Sequence, residues 1–148
     1  MSSATNMKDR MTHTDDSYMM SQICTATESC HPFKDEAEMI IIYLSEAHPT
    51  DGWQIIKSDQ PKVVQHETMA DRLNAVQIFL DITSTKTTAP VYVDQMDNAI
   101  EGVFMAHPER LVIIDGDQIA FIGGVGPFDY SVEKTESALI ELLEKKRQ

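Results

Sequence analysis

Cys30 stands in the run Ser29-Cys30-His31-Pro32-Phe33, just ahead of the apolar stretch Met39–Leu44. That stretch leads into Ser45-Glu46-Ala47-His48-Pro49-Thr50-Asp51-Gly52-Trp53. The thiolate is the reactive form of cysteine, and a helix N-terminus with a neighbouring histidine favours it. Cys30 therefore reads as a nucleophile; the plain alternative is a small buried hydrophobe. Glu46 and His48 are spaced so that extended backbone puts both on one face. An imidazole that titrates near neutral pH beside a carboxylate suits a proton relay, and a satisfied structural histidine is the other reading. Cys24 reads either as a core residue of a first strand or as a resolving thiol. The second role needs Cα atoms within ~7 Å of each other, and hence a turn before Cys30. Glu46, His48 and His66 are acceptable zinc ligands by type, but their spacing matches no zinc signature, so no metal is expected.

Elements that would position these groups follow in order. Tyr18–Thr25 is a weak strand candidate, and Lys34–Glu38 is helix-prone over barely more than one turn. Met39–Leu44 is a continuous β-branched run, as for a strand covered on both faces. Residues 45–66 form a long loop, and loops of that length in a compact domain usually carry function. Glu67–Ile82 reads as a helix with Met69, Leu73, Val76 and Leu80 inside and Asp71 and Arg72 outside. Ala89–Asp94 is a second short buried strand, and Asp97 or Asn98 caps a brief helix through Ala106. Asp115-Gly116 between two apolar runs signals a hairpin. Gly123–Pro127 ends it, and Ser131 starts a last helix with Val132, Leu139 and Leu143 on one face. Strand–helix–strand units followed by a hairpin and a closing helix describe an α/β protein: a thioredoxin-like mixed sheet with helices on both faces and a C-terminal β-hairpin plus helix.

Bulk properties narrow the function classes. The 148 residues suffice for one domain, expected over 18–148, with residues 1–17 as a disordered tail. A net charge of −12 sets the field against nucleic acid and anionic membrane surfaces. Two cysteines are too few for a disulfide scaffold. No apolar run is long enough for a membrane span, and no signal peptide is seen.

Five blocks in order resemble the iodothyronine deiodinases. They are Ile41-Ile-Tyr43-Leu-Ser-Glu46-Ala-His48-Pro-Thr-Asp-Gly-Trp53; His66 with Asp71-Arg72-Leu73; Val93-Asp94-x-Met96; Pro108-Glu109-Arg110-Leu111-Val112-Ile113; and Gly123-Gly124-x-Gly126-Pro127-x-x-Tyr130. The first is specific, since no general fold rule calls for it. The family's selenocysteine run, Ser-Cys-Thr-Sec-Pro-Pro-Phe, lays Cys30 on the selenocysteine and Pro32-Phe33 on its close. His31 then replaces a proline, and Glu28 falls where the family often has an extra cysteine. The helix after Cys30 is shorter than the family's.

The resemblance implies a thiol-dependent reductive dehalogenase that removes iodide from iodothyronines. It implies that Tyr43, Glu46, His48, His66 and Arg110 surround the substrate or the proton path. Cys30 would attack iodine while the ring carbon takes a proton delivered through His48, with Glu46 and Tyr43 positioning it. His66 and Arg110 would contact the substrate's phenol or carboxylate ends. Taken alone, His66 reads equally as a surface residue and Arg110 as half of a surface ion pair with Glu109 or Asp115. No bound cofactor is implied; a cellular thiol is the cosubstrate. The partner is a small iodinated phenol, and a homodimer is the family's habit. Localisation would be cytoplasmic, or membrane-associated through an anchor that this chain lacks. Two other readings compete. A cysteine at this position is ordinary in a thiol peroxidase or general thioredoxin-like oxidoreductase. The shortened first helix suits a catalytically impaired ligand-binding relic.

Overall fold

A computed structural model of the protein describes residues 31–54, 61–83 and 89–148. The expected tail, the strand candidate Tyr18–Thr25, Cys24 and Cys30 lie outside the described residues. The described chain opens with a 3₁₀ turn, His31–Phe33, closed by the amides of Glu36 and Ala37 donating to Phe33 O, each at 2.8 Å. The helix expected at Lys34–Glu38 does not extend beyond this turn.

β-Branched residues then favour extended backbone. Strand β1, Ile41–Tyr43, pairs in parallel with β2, Val91–Val93, in the register Ile41↔Val91, Ile42↔Tyr92 and Tyr43↔Val93. A parallel pair needs a long crossover. Helix α1, Met69–Thr83, lies in that crossover and packs on β2. Neither strand is fully covered on both faces: all three β1 residues are only half-buried, and Tyr92 of β2 is 56% exposed.

Helix α1 starts at a reciprocal cap. Thr68 N donates to Asp71 Oδ2 at 2.8 Å, and Asp71 N donates back to Thr68 Oγ1 at 3.2 Å. Those bonds hold the Asp71 carboxyl below its ordinary pKa, the side-chain bond from Thr68 contributing most. The buried face is turned from the one expected: Val76 is buried as expected, but Leu73 and Arg72 change places. Leu73 is 52% exposed, whereas Arg72 is 2% exposed beside Ala75 and Val76. Positions 72, 75, 76 and 79 have the i, i+3, i+4, i+7 spacing of one helical stripe, and an arginine occupies its first place.

Of the two expected caps of the brief helix α2, Ala99–Phe104, Asp97 bonds its start and Asn98 does not. Asn98 sits in the left-handed region at φ 54°, and its side chain makes no cap bond. Asp97 Oδ1 accepts from Ala99 N at 3.2 Å. Asp94, 1% exposed, accepts from Ile100 N at 3.1 Å and Glu101 N at 2.9 Å, as well as from Gln95 N at 2.8 Å. A buried carboxylate thus meets the orphan amides of the helix start.

Strands β3, Val112–Asp115, and β4, Gln118–Ile122, form an antiparallel hairpin. Its turn pair is Gly116-Asp117, one residue later than Asp115-Gly116. Only Gly116 has positive φ, at 63°, which suits a glycine in the first turn position. Helix α3, Val132–Lys146, packs on both strands through buried Val132, Leu139 and Leu143. Ser131 caps it, accepting from Lys134 N at 3.2 Å. The return from β4 passes close to β3: a Cβ on Gly126 would collide with the Glu109 side chain. The architecture is mixed α/β. Among the described residues the strands form two separate two-stranded ladders. No described helix is long and apolar enough to cross a membrane.

Replacing Asp94 by alanine leaves three amides without their acceptor. The expected loss is about 2–3 kcal/mol, read as a lower urea midpoint at unchanged m-value; an unmoved midpoint would show that Asp94 does not hold α2.

Candidate active site

The chain leaves β1 at Tyr43, so Glu46 and His48 lie in a loop and the strand-face argument for pairing them does not hold. The loop is tied instead by one amide side chain. Gln65 Oε1 accepts from Glu46 N at 3.2 Å while Gln65 Nε2 donates to Glu46 O at 3.0 Å. The Gln65 amide therefore acts on Glu46 as a strand neighbour's peptide would. Further along, Gln65 N donates to Asp51 Oδ1 at 2.9 Å and Thr50 N to Val63 O at 2.8 Å. These bonds bring residue 46 and residue 66 together across the long loop.

The product is a line of four polar side chains. Tyr43 Oη donates to Glu46 Oε1. His66 Nε2 stands 3.5 Å from that same oxygen, just beyond a full hydrogen bond. On the other side of the ring, Arg72 Nε donates to His66 Nδ1 at 3.2 Å. Arginine can only donate, so Nδ1 carries the lone pair and the neutral ring has its proton on Nε2, directed at Glu46. The His66 side chain is fully enclosed, while that of Glu46 is 20% exposed. Tyr43 stacks edge-on to Phe79 at 5.6 Å and lies tilted to the imidazole at 6.0 Å.

Electrostatics keep this imidazole neutral. Burial pushes the His66 pKa down from 6.5, the Arg72 charge pushes the same way, and Asp71 opposes both. A second proton on Nδ1 would break the Arg72 bond and set two cations face to face. His66 therefore presents Nε2–H toward Glu46 and keeps Nδ1 as an acceptor. Arg72 in turn spends its other donors on Asp94 O at 3.1 Å, Gln95 O at 2.7 Å and Asn98 Oδ1 at 2.8 Å.

The remaining candidates lie elsewhere. His48 packs edge-on against Trp53 at 4.9 Å, with Nδ1 3.1 Å from Trp53 O. Arg110 binds backbone carbonyls: Nε donates to Gly123 O at 2.7 Å, and Nη1 to Phe104 O at 2.8 Å and Met105 O at 3.3 Å. Its Nη2 makes no hydrogen bond among the described residues. Cys30 and Cys24 are outside the described residues, so the geometry covers only the Tyr43–Glu46–His66–Arg72 part of the expected site. Among the described residues, no three His, Cys, Asp or Glu side chains converge as metal ligands.

Arg72, Gln65 and Asp94 were not singled out from the sequence as site residues. Gln65 carries no signal of its own. Arg72 does: placing it on the 72, 75, 76, 79 stripe beside a small alanine leaves room for a long side chain to run inward.

An imidazole that binds its proton less tightly in the folded chain stabilises fully above its unfolded pKa, 6.5. That stability drains away as pH falls through the lower native value. In urea unfolding between pH 7.5 and 5.0, wild type should lose stability on acidification more steeply than His66→Gln, which keeps an acceptor for Arg72 but cannot titrate. Parallel pH profiles would contradict a neutral His66.

The description "iodothyronine deiodinase" fits residues 14–146 of this chain at the level of the family's sequence profile. A thyroxine 5-deiodinase of Sparus aurata is 34% identical over 108 residues, covering 72% of this chain and 39% of that protein. The type II iodothyronine deiodinase of Homo sapiens is 33% identical over 116 residues, covering 77% of this chain and 42% of its own length. That of Neoceratodus forsteri is 30% identical over 129 residues, covering 86% and 48%. The chain thus spans less than half the length of these relatives. A profile match over most of its residues, with relatives at 30–34% identity, makes this chain a member of the iodothyronine deiodinase family.

Proposed function

We propose that this chain is an oxidoreductase that removes iodide from an iodothyronine, with Cys30 as the nucleophile on a thioredoxin-like arrangement of strands and helices. The observation that carries the reading is the Tyr43–Glu46–His66 line backed by Arg72, a proton path with a fixed tautomer at its inner end. Reductive dehalogenation of an aryl ring needs such a path, because the ring carbon must gain a proton as it loses iodine.

The steps balance as follows. The Cys30 thiolate attacks iodine, an S–I bond forms, and the C–I bond breaks with its electron pair left on the ring carbon. That carbon takes one proton from the Tyr43/Glu46 pair, which regains it from solvent at the part-exposed Glu46 carboxyl while neutral His66 keeps its Nε2–H. The product is the deiodinated phenol and a cysteine sulfenyl iodide. One equivalent of a thiol reductant displaces iodide and forms a mixed disulfide; a second releases Cys30 as thiol. No bound cofactor takes part. A general base or acid of this kind is worth typically 10²–10⁴-fold in rate.

Substrate contacts fall to groups at the loop and hairpin. His48, held against Trp53, meets the phenol end. Arg110 keeps Nη2 for the substrate's carboxylate, while its other nitrogens are held by backbone carbonyls. Arginine suits this role because its charge persists at every working pH. Thyroxine and its type II relatives' substrates, as those proteins' names give them, set the first compounds to try.

Purified protein supplied with radio-iodinated thyroxine and a dithiol should release iodide. Cys30→Ala should reduce release to background. Glu46→Gln should cut turnover by roughly 10²-fold or more without removing the thiol's reactivity toward iodoacetamide. Iodide release no greater than that of Cys30→Ala would end the dehalogenase reading.

A further inference from the structure

The parallel ladder of β1 and β2 loses its next rung to the buried guanidinium. The ladder runs from Ile41 N, donating to Pro90 O at 3.0 Å, to Asp94 N, donating to Tyr43 O at 2.9 Å. In that register the following bond would join Ser45 N to Asp94 O. Asp94 O accepts from Arg72 Nη1 instead, at 3.1 Å. Ser45 N turns to Glu101 Oε2 at 3.3 Å, and Ser45 Oγ donates to the same oxygen at 2.6 Å. The second bond has the short length of a hydroxyl on a charged acceptor. A side chain from α2 thus stands in for the strand neighbour that Arg72 has drawn away.

Glu101 is itself anchored. Its amide donates to Asp94 Oδ2 at 2.9 Å, so the residue is tied to the β2–α2 junction through its backbone and to the end of β1 through its carboxylate. The His107 ring lies against the pair, with Nδ1 3.3 Å from Ser45 Oγ and 3.7 Å from Glu101 Oε2. Ser45 directly precedes Glu46, whose own N and O are held by Gln65. The chain leaving β1 is therefore gripped at two successive residues by two different elements. One amide side chain can swing with the peptide it binds. Two anchors from separate elements fix the direction of the backbone between them.

We propose that Glu101 is a positioning residue for Glu46. By holding Ser45 to α2 it sets the course on which the Glu46 side chain leaves the backbone, toward Tyr43 Oη and His66 Nε2. Its effect on turnover rests on Glu46 serving the proton transfer proposed above; the grip itself does not. Glu101 acts through Ser45, and its carboxylate is not the one that meets Tyr43. Misplacing a reacting group by about 1 Å can cost roughly 10²-fold in rate.

Glu101→Ala, Glu101→Gln and Ser45→Ala in the full chain test this. Glutamine removes the charge and keeps an acceptor for Ser45; alanine removes both. Two readouts need no turnover: amide hydrogen exchange at Glu46, and the carboxyl carbon resonance of Glu46 by NMR. In Glu101→Ala the Glu46 amide should exchange roughly two- to ten-fold faster although its Gln65 acceptor remains, and the carboxyl resonance should move. Glu101→Gln should stay near wild type, and Ser45→Ala should fall between. With radio-iodinated thyroxine and a dithiol, Glu101→Ala should lose roughly ten-fold in kcat, with KM nearly unchanged. In a Glu46→Gln background the same alanine should cost nothing further, because a residue that acts only through Glu46 has nothing left to position.

Glu101→Gln behaving like Glu101→Ala would show that charge alone matters and would overturn the proposal. An unmoved Glu46 amide and resonance in Glu101→Ala would do the same, as would a further loss in the double variant. Should Glu101→Ala fail to fold, Ser45→Ala carries the same readouts, since it leaves every group of α2 in place. Wild type that releases no iodide while the exchange and resonance shifts appear as expected would end the dehalogenase reading and leave the positioning standing.

Discussion

A buried guanidinium organises this fold. Arg72 is almost wholly enclosed, and a cation there is costly unless every donor finds an acceptor. Its acceptors come from three places in the chain: His66 from the end of the long loop, the carbonyls of Asp94 and Gln95 after β2, and the Asn98 side chain before α2. Satisfying one arginine therefore fixes how α1, the loop and the β2–α2 junction meet. The Asp94 side chain, left over from that junction, turns to the amides of α2. Asn98 cannot serve as a cap because its oxygen is already committed to Arg72.

The chemical consequence runs outward from the same contact. Arg72 chooses the His66 tautomer and holds the ring neutral, and Nε2–H is thereby directed at Glu46. Glu46 meets Tyr43 at the end of β1 because Gln65 pins its backbone. One network sets both packing and protonation, so a change at Arg72 would be felt in the fold and in the His66 tautomer together. The hairpin and α3 stand apart from this network. They form a second packed unit whose apolar contacts support Arg110 on one side and carry Arg147 on the other.

Much of the frame is legible in local patterns. The β-branched runs mark β1 and β3, Ser131 marks the start of α3, and Val132, Leu139 and Leu143 mark its buried face, because each signal depends on neighbours close in sequence. The α1 face was misread for an equally physical reason. Helical periodicity assigns burial by apolarity, and Arg72 is buried for its hydrogen bonds, with Ala75 making room. The hairpin turn slipped by one residue because Asp-Gly and Gly-Asp both fit a two-residue loop, and the register of the flanking strands decides between them.

Site residues divide along the same line. The identities of Tyr43, Glu46, His48 and His66 are written in the chain, and the block that contains three of them marks the family. Their grouping is not. Spacing joined Glu46 to His48, yet the strand ends at Tyr43, and the fold of the loop sets the Glu46 carboxylate against His66 instead. From the sequence alone came the ingredients: a lone thiol beside a short turn, an acid and imidazoles in a long loop, and an acidic α/β chain. Tertiary structure alone decided which imidazole faces the acid and which nitrogen bears its proton. The first depends on a loop closed by Gln65 across 19 residues, and the second on Arg72 being buried for its distant acceptors after β2; no local pattern encodes either.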